Sequence, residues 1–189
     1  MNIVYVANEA YVSILGTSLY SLYENNKTEA LLNVYIIQTG ISEKSIKLLK
    51  SLADSFARSI SIINFEDIKQ RRELDFIENK FDISVMARLF VDELLPKHLY
   101  RVLYIDCDTL VLRSVHKLFH MELGDKTIAA VAEPTINLLV KEKIGIALWQ
   151  MYFNSGVLLI DLNRYREKKF RQRVLAYYDN IKENTVFSD

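Results

Sequence analysis

Hydrophobic residues follow two patterns along this chain. Some form short continuous runs, and others form stripes in which they recur at every third or fourth position. The apolar runs are rich in β-branched residues and have the length of buried strands. They predict strands at residues 3–7, 32–37, 60–63 and 127–132, a strand that leads out of a polar turn within residues 152–161, and a further strand that starts at Arg101 in the run 101–112 and stops at Asp106. Most of the sheet is therefore expected to be assembled from short, buried strands.

The stripes place a hydrophobic residue at every third or fourth position, which predicts helices that bury one face. These helices are predicted at residues 11–24, 42–56, 84–95, 137–149 and 163–180. Ser42 is expected to cap the second of them, and Pro96 is expected to end the third. The charged and weakly periodic residues 69–82 predict a loop or an irregular helical region. Strands and helices thus alternate, which predicts a single three-layer α/β domain over residues 1–189.

The composition narrows the class of protein. The chain has 189 residues, of which 50% are hydrophobic and 25% charged, as in an ordinary folded domain. The 24 Lys and Arg residues balance the 24 Asp and Glu residues, and no basic block suggests a nucleic-acid partner. Cys107 is the single cysteine, which excludes an internal disulfide and fits a reducing compartment. Because no secretory signal or transmembrane stretch is visible, we expect a cytoplasmic protein, with attachment to the inner face of a membrane left open.

The strand that begins at Arg101 ends on two carboxylates, Asp106 and Asp108, which are separated by one residue. Side chains two residues apart on an extended backbone point the same way, so both carboxylates can aim at one point. Two adjacent negative charges favour a positive partner, such as Mg²⁺ or Mn²⁺ held jointly with a phosphate. Ligands also bind at the carboxyl ends of central strands in open α/β sheets. The alternative is an acidic turn that binds nothing.

Four stretches of the sequence together resemble glycosyltransferase family 8, which includes bacterial lipooligosaccharide galactosyltransferases and glycogenin. The stretches are residues 3–11, residues 83–89 with Arg88, residues 102–111 and residues 152–162. The resemblance implies the GT-A fold, a Rossmann-like α/β/α architecture with a mixed, mostly parallel sheet. It also implies that a hexose, galactose or glucose, is transferred from a UDP-sugar to a carbohydrate acceptor, with retention of configuration and with Mn²⁺ or Mg²⁺ as the cofactor.

The resemblance also implies roles for particular residues. Asp106 and Asp108 would bind the metal ion, and Arg88 would bind the donor sugar and diphosphate. Asn154 and Asp189 are the implied catalytic positions, because each would bind hydroxyls of the donor sugar. The full set of implied nucleotide-sugar contacts is Ala7, Asn8, Tyr11, Arg88, Asp106, Cys107, Asp108, Asn154, Ser155 and Gly156.

Two of these positions have a further interpretation from the sequence. Asn8 stands where many relatives have Asp, so it keeps an acceptor oxygen and loses a charge. Arg88 could instead form an i,i+4 ion pair with Asp92 on a helix surface. The motif around Arg88 favours donor binding.

The chain departs from the family pattern after Asp189, where a later block with a metal-binding His and a diphosphate-binding Lys does not follow. We therefore expect a domain that lacks the family's C-terminal segment, with impaired activity in isolation and with membrane association through the missing tail left open. A non-catalytic nucleotide-sugar binding domain, or a truncated inactive transferase, is the main alternative. A nucleotidyltransferase is a weaker alternative, because it would need a Gly-rich phosphate loop and only Gly16 lies near the N-terminus.

Overall fold

The computed structural model describes residues 1–66, 68, 86–136 and 138–181. Six strands in these residues form one sheet, and they are β1 (Asn2–Ala7), β2 (Asn33–Gln38), β3 (Ile60–Asn64), β4 (Arg101–Ile105), β5 (Ile128–Ala132) and β6 (Phe153–Asp161). The α-helices of the same residues are α1 (Val12–Glu24), α2 (Glu43–Ser55), α3 (Val91–Leu94), α4 (His116–Phe119), α5 (Leu138–Lys143), α6 (Leu162–Glu167) and α7 (Phe170–Ile181). Two 3-10 turns, Glu9–Tyr11 and Arg88–Phe90, precede α1 and α3.

The strands lie in the order β3, β2, β1, β4, β6, β5. The first four of these are parallel, whereas β6 is antiparallel to both β4 and β5. Because β6 runs in the opposite direction, its amino end lies beside the carboxyl end of β4, where Ile105 pairs with Val157. The sheet is therefore mixed and mostly parallel, as predicted, and the carboxyl ends of β1 and β4 share one edge with the start of β6.

The core lies in two layers, one on each face of the sheet. Side chains of β1 alternate between them, with Ile3 and Tyr5 on one face and Val4 and Val6 on the other. Buried residues of α1 and α2 cover the first face, and those of α3 and α6 cover the second. Truncating one of these fully buried aliphatic side chains to Ala is expected to cost about 2–5 kcal/mol of the free energy of unfolding. The two layers hold the central strands rigidly beneath the shared edge.

The strands predicted at 3–7, 32–37, 60–63, 101–106 and 127–132 are confirmed, with bounds that differ by no more than one residue, and the strand predicted within 152–161 is confirmed as β6. Ser42 caps α2 as predicted, since its hydroxyl accepts a hydrogen bond from the Ser45 N–H at 3.3 Å. The predicted loop at 69–82 lies outside the described residues, as does the start of the helix predicted at 84–95. The described part of that helix is a 3-10 turn followed by α3, and Leu95 is already extended before Pro96.

Two predicted helices are shorter than the hydrophobic pattern indicated. The helix predicted at 163–180 is divided into α6 and α7, because the backbone turns at Lys169 with φ +49°. The helix predicted at 137–149 ends at Lys143, just before Gly145, which has φ +68°. A left-handed conformation ends an α-helix, and the apolar spacing gave no signal of it. None of the described helices combines the length and the apolar character that a membrane span requires.

Candidate functional site at the carboxyl edge of the sheet

The first wall of the site is the loop after β1. Ala7 ends that strand, its carbonyl accepts a hydrogen bond from the Thr39 N–H at 3.0 Å, and Asn8 continues in an extended conformation. Tyr11 follows at the start of α1 with 45% of its surface exposed, so its ring is accessible to a ligand. The structure thus places Ala7, Asn8 and Tyr11 in one loop at the carboxyl edge.

The same loop is fixed to the start of α2 by the carboxylate of Glu9. One oxygen accepts a hydrogen bond from the Ser42 N–H at 2.7 Å, and the other accepts from the hydroxyls of Ser45 at 2.8 Å and Ser42 at 3.1 Å. The hydrogen bond from the Ser42 backbone, followed by that from Ser45, lowers the pKa of Glu9 below its usual value. The charge also suits the N-terminus of a helix, where backbone N–H groups are unpaired.

The second wall is the end of β4, where the acid pair lies. The strand ends at Ile105, and Cys107 and Asp108 lie in a turn closed by a hydrogen bond from the Thr109 N–H to the Asp106 carbonyl at 3.1 Å. The assumption that Asp106 and Asp108 share an extended backbone was therefore wrong, because the chain turns between them. Both acids still lie at the carboxyl end of a central strand, and their convergence on one ligand stays a prediction.

Asp106 is held by two charged or polar neighbours. Its Oδ1 accepts a hydrogen bond from the hydroxyl of Tyr104 and lies 3.1 Å from Nη2 of Arg88. The Arg88 guanidinium also stacks on the Tyr104 ring, with Cζ 4.8 Å from the ring centroid. Burial raises the pKa of Tyr104 well above its usual value, so the phenol stays protonated and donates a hydrogen bond to the carboxylate. Arg88, Tyr104 and Asp106 therefore form one connected cluster.

Arg88 pairs with Asp106 rather than forming the i,i+4 pair with Asp92 that the sequence left open, since Asp92 pairs with Arg171 at 3.3 Å. Arg171 also lies 2.6 Å from Glu93 and is 4% exposed, so a buried cation of α7 anchors the segment that follows Arg88. Removing one partner of such a buried pair typically costs about 3–5 kcal/mol. The position of Arg88 is thus set by contacts far from it in sequence.

The third wall is the start of β6, and it corrects another expectation. Asn154, Ser155 and Gly156 were predicted to form a polar turn before the strand, whereas they belong to β6 itself. The strand is irregular there, because Val131 pairs with Asn154 but Ala130 pairs with Leu158. This bulge accommodates three polar or small residues in a strand that continues with the apolar residues 157–160.

Gly156 touches Asp106 directly. Its carbonyl accepts a hydrogen bond from the Asp106 N–H at 2.7 Å, and its own N–H donates to Asn154 Oδ1 at 2.8 Å. A Cβ at Gly156 would lie 3.0 Å from Asp106 Oδ2 and 3.1 Å from Asn154 Oδ1. The glycine therefore leaves space in front of the Asp106 carboxylate. Ser155 completes this wall by accepting hydrogen bonds from Arg88 Nη1 with its carbonyl at 3.2 Å and its hydroxyl at 3.3 Å.

The residues at this edge fit a divalent cation. Carboxylate oxygens are the ligands that Mg²⁺ and Mn²⁺ prefer, and the space left by Gly156 adjoins Oδ2 of Asp106. In the described part of the chain no cluster of three or more His, Cys, Asp or Glu residues is placed to bind a metal ion. A cation at Asp106 and Asp108 would complete its coordination with phosphate oxygens and water, which is a usual arrangement for Mg²⁺.

Cys107 points away from this cleft. Its thiol is buried and donates a hydrogen bond to the Val6 carbonyl at 3.0 Å. Burial, followed by the negative charges of Asp106 and Asp108, raises its pKa to about 12. The Cys107 side chain therefore belongs to the core, and a donor contact by its backbone stays a prediction. Asp189, the other implied catalytic position, lies outside the described residues.

Sequence reasoning missed two residues that organise the site. Tyr104 is one, and its signal was present, since it lies two positions before Asp106 at the end of the same strand. Glu9 is the other, and its contacts with α2 could not be inferred from local sequence. Both act by holding neighbouring elements in place.

Solved structures with the same architecture are glycosyltransferases. The crystal structure of the galactosyltransferase LgtC in complex with donor and acceptor sugar analogs matches with a TM-score of 0.81 and 27% identity, over 99% of this chain and 67% of that one. The domain therefore has the GT-A fold. The family model for glycosyl transferase family 8 matches residues 2–188. The chain belongs to glycosyltransferase family 8.

Curated relatives agree with this assignment. General stress protein A of Bacillus subtilis is 26% identical over 94% of this chain and 61% of its own length. The lipopolysaccharide 1,2-glucosyltransferase of Escherichia coli is also 26% identical, over 93% of this chain and 52% of its own length. The chain spans about half to two thirds of the length of these relatives.

Proposed function

We propose that this domain binds a UDP-hexose, with Mn²⁺ or Mg²⁺, and transfers the hexose to a carbohydrate hydroxyl with retention of the anomeric configuration. The observation that carries the proposal is the cluster at the carboxyl edge of the sheet, where Arg88 pairs with Asp106 beside the space left by Gly156. A cation held by carboxylates and a forked cationic donor both suit the charges of a nucleoside diphosphate. Family membership supports the same conclusion.

Each wall of the site has a separate task in this proposal. Tyr11 offers an aromatic face to the uracil, and the backbone at Ala7 and Asn8 offers polar groups to the nucleoside. Asp106 and Asp108 would hold the cation, which would supply positive charge beside the diphosphate when bound.

The remaining residues orient the hexose. Asn154 can donate to one sugar hydroxyl and accept from another, and Gly156 lets the ligand approach the backbone closely. Arg88 can bind a phosphate oxygen with one nitrogen while another contacts Asp106 or Ser155. Alignment of donor and acceptor would then supply much of the rate enhancement.

The acceptor and the location in the cell belong to the same proposal. One relative is named a lipopolysaccharide 1,2-glucosyltransferase, and a structural relative was solved with donor and acceptor sugar analogs. We therefore propose an oligosaccharide acceptor of the lipopolysaccharide type, with galactose and glucose both as candidate donors. We also propose a cytoplasmic location, in keeping with the single cysteine.

The decisive experiment measures metal-dependent UDP binding by thermal shift and calorimetry. Asp106→Asn and Asp108→Asn should abolish the effect of Mn²⁺ on UDP affinity while the fold is kept, because each removes a charged oxygen ligand. Asp125→Asn is the matched control, since Asp125 is an exposed acid paired with Lys126. If both site variants bind UDP with Mn²⁺ as the parent does, the site assignment is wrong.

The main alternative is a binding domain without catalytic activity. Such a domain would keep Mn²⁺-dependent UDP affinity and would not release UDP from UDP-galactose or UDP-glucose. A coupled assay of UDP release, with and without an oligosaccharide acceptor, separates the two functions.

A further inference from the structure

Tyr104 is a buried residue that touches both charged groups of the donor site. Its hydroxyl donates to Asp106 Oδ1, and its ring carries the Arg88 guanidinium on one face. Only 1% of its surface is exposed, and it packs in the same core layer as Val4 and Ile160. The ring is therefore fixed by the core, whereas the two charged groups at the surface lie against it.

The geometry around Asp106 is determined from several sides. Tyr104 and Arg88 contact the Oδ1 oxygen, and the Asp106 N–H is bound by the Gly156 carbonyl at 2.7 Å. The other oxygen, Oδ2, adjoins the space that a Cβ at Gly156 would fill. In a carboxylate held in this way, Oδ1 contacts protein side chains and Oδ2 remains accessible to a ligand.

Arg88 is oriented by the same ring. A guanidinium over an aromatic face is attracted to the ring, which restricts where its nitrogen donors can reach. In this structure Nη2 reaches Asp106 and Nη1 reaches Ser155. The ring thus helps to fix the position from which Arg88 can meet a phosphate or a sugar hydroxyl.

We propose that Tyr104 is a positioning residue of the donor site, which orients the Asp106 carboxylate through its hydroxyl and the Arg88 guanidinium through its ring. A divalent cation and a nucleoside diphosphate then bind an arrangement that is already formed. The inference rests on the proposed function, because it assumes that UDP and the cation bind at Asp106 and Arg88. Partners that orient metal ligands commonly contribute about 10–100-fold to metal affinity.

Two variants separate the roles of the hydroxyl and the ring. Tyr104→Phe removes only the hydroxyl, so calorimetry should show a roughly 10–100-fold loss of UDP affinity with Mn²⁺ and no change without metal. Tyr104→Leu also removes the aromatic face, so UDP affinity should decrease in the absence of metal as well. UDP and MnCl₂ are the probes, and thermal melting without ligand reports the stability of each variant.

Tyr5→Phe is the matched control. Tyr5 is another fully buried tyrosine of the central sheet, but its hydroxyl accepts a hydrogen bond from Ser18 at 3.2 Å in the opposite core layer. Its loss should decrease the melting temperature and leave UDP affinity unchanged. An equal loss of UDP affinity in the Tyr5 and Tyr104 variants would indicate a general effect on folding and would overturn the proposal.

The remaining outcomes distinguish this inference from the function on which it rests. If Tyr104→Phe binds UDP with Mn²⁺ as tightly as the parent, while Asp106→Asn does not, Tyr104 has no positioning role and the proposed function stands. If Tyr104→Phe weakens UDP binding equally with and without Mn²⁺, orientation of the Asp106 carboxylate is refuted. If the parent itself binds UDP without any effect of Mn²⁺, the proposed function fails and this inference fails with it.

Discussion

Two regions that meet at the carboxyl edge of the sheet are held in place by different means. The loop after β1 is fixed by Glu9, whose carboxylate binds the backbone N–H of Ser42 and the hydroxyls of Ser42 and Ser45. The region around the ends of β4 and β6 is fixed by Arg88, which forms an ion pair with Asp106 and donates a hydrogen bond to the Ser155 carbonyl. In the first region the only charged group is already used by the protein, whereas in the second the charges lie where a charged ligand would bind.

This difference indicates that the first region mainly holds the structure in place, whereas the second can bind the charged parts of a ligand. A wall built from one carboxylate and neutral donors changes little when a ligand arrives. The Arg88 and Asp106 pair is partly exposed, at 17% and 30% of the two side chains, so a diphosphate and a cation can each reach it. We expect mutations in the β4 and β6 region to change binding strongly, and mutation of Glu9, which holds the β1 loop to α2, to change mainly stability.

The largest effect is expected for Arg88→Ala. The change removes a forked cation that would bind phosphate and leaves Asp106 without its ion pair. Because a hydrogen bond to a charged group contributes about 1.5–3 kcal/mol, UDP affinity should fall by about one to two orders of magnitude. Arg88→Lys is the control, since it keeps the charge and loses the fork, and it should recover only part of the affinity in calorimetry.

Gly156→Ala is expected to have the next largest effect. The added Cβ would lie 3.0 Å from Asp106 Oδ2 and 3.1 Å from Asn154 Oδ1, so both side chains must move. Overpacking of this kind typically costs about 1–3 kcal/mol of the free energy of unfolding. Denaturant unfolding and Mn²⁺-dependent UDP binding should both be weakened.

The matched control for that substitution is Gly16→Ala in α1, where a Cβ meets nothing within 4 Å. Ala is favoured over Gly within a helix, so this variant should be more stable by about 0.5–1 kcal/mol. Equal behaviour of the two glycine variants in unfolding and in UDP binding would contradict a special role for the space at Gly156.

The smallest effect is expected for Glu9→Gln, and it should depend on pH. The pKa of Glu9 is lowered in the folded protein, so its contribution to stability is present above the ordinary pKa of 4.5. That contribution is lost as the pH falls through the lowered folded value. Thermal melting should therefore show a small destabilisation of the variant at neutral pH that disappears in acid, with UDP affinity unchanged. A large loss of UDP affinity would refute the division between the two regions.

The sequence predicted the strands well because buried strands are marked by continuous apolar runs that need no partner to be recognised. It predicted the wrong backbone at the two places that form the site. The chain turns after Asp106, and the stretch from Asn154 to Gly156 is a strand rather than a turn. In both cases the partner strand decides the conformation, since the Asp106 N–H binds the Gly156 carbonyl across the sheet.

The sequence predicted two members of the cluster of Arg88, Tyr104 and Asp106, but it did not predict that the three are in contact. The motif identified Arg88 and Asp106 separately, but their contact joins positions 18 residues apart and depends on how the 3-10 turn packs beside β4. Spacing along the chain also allowed an i,i+4 pair of Arg88 with Asp92, although the motif favoured donor binding. Only the fold shows that Asp92 is already paired with Arg171.

The buried thiol of Cys107 is a natural probe of the turn that contains Asp106 and Asp108. Its sulfur is bound to the Val6 carbonyl, and its raised pKa of about 12 keeps it protonated at neutral pH. A thiol reagent can therefore react only with molecules in which the turn has separated from β1. Since the chain contains one cysteine, the rate of modification would report how often the contact between this turn and β1 opens in the native state. It would also report how far a bound nucleotide suppresses that opening.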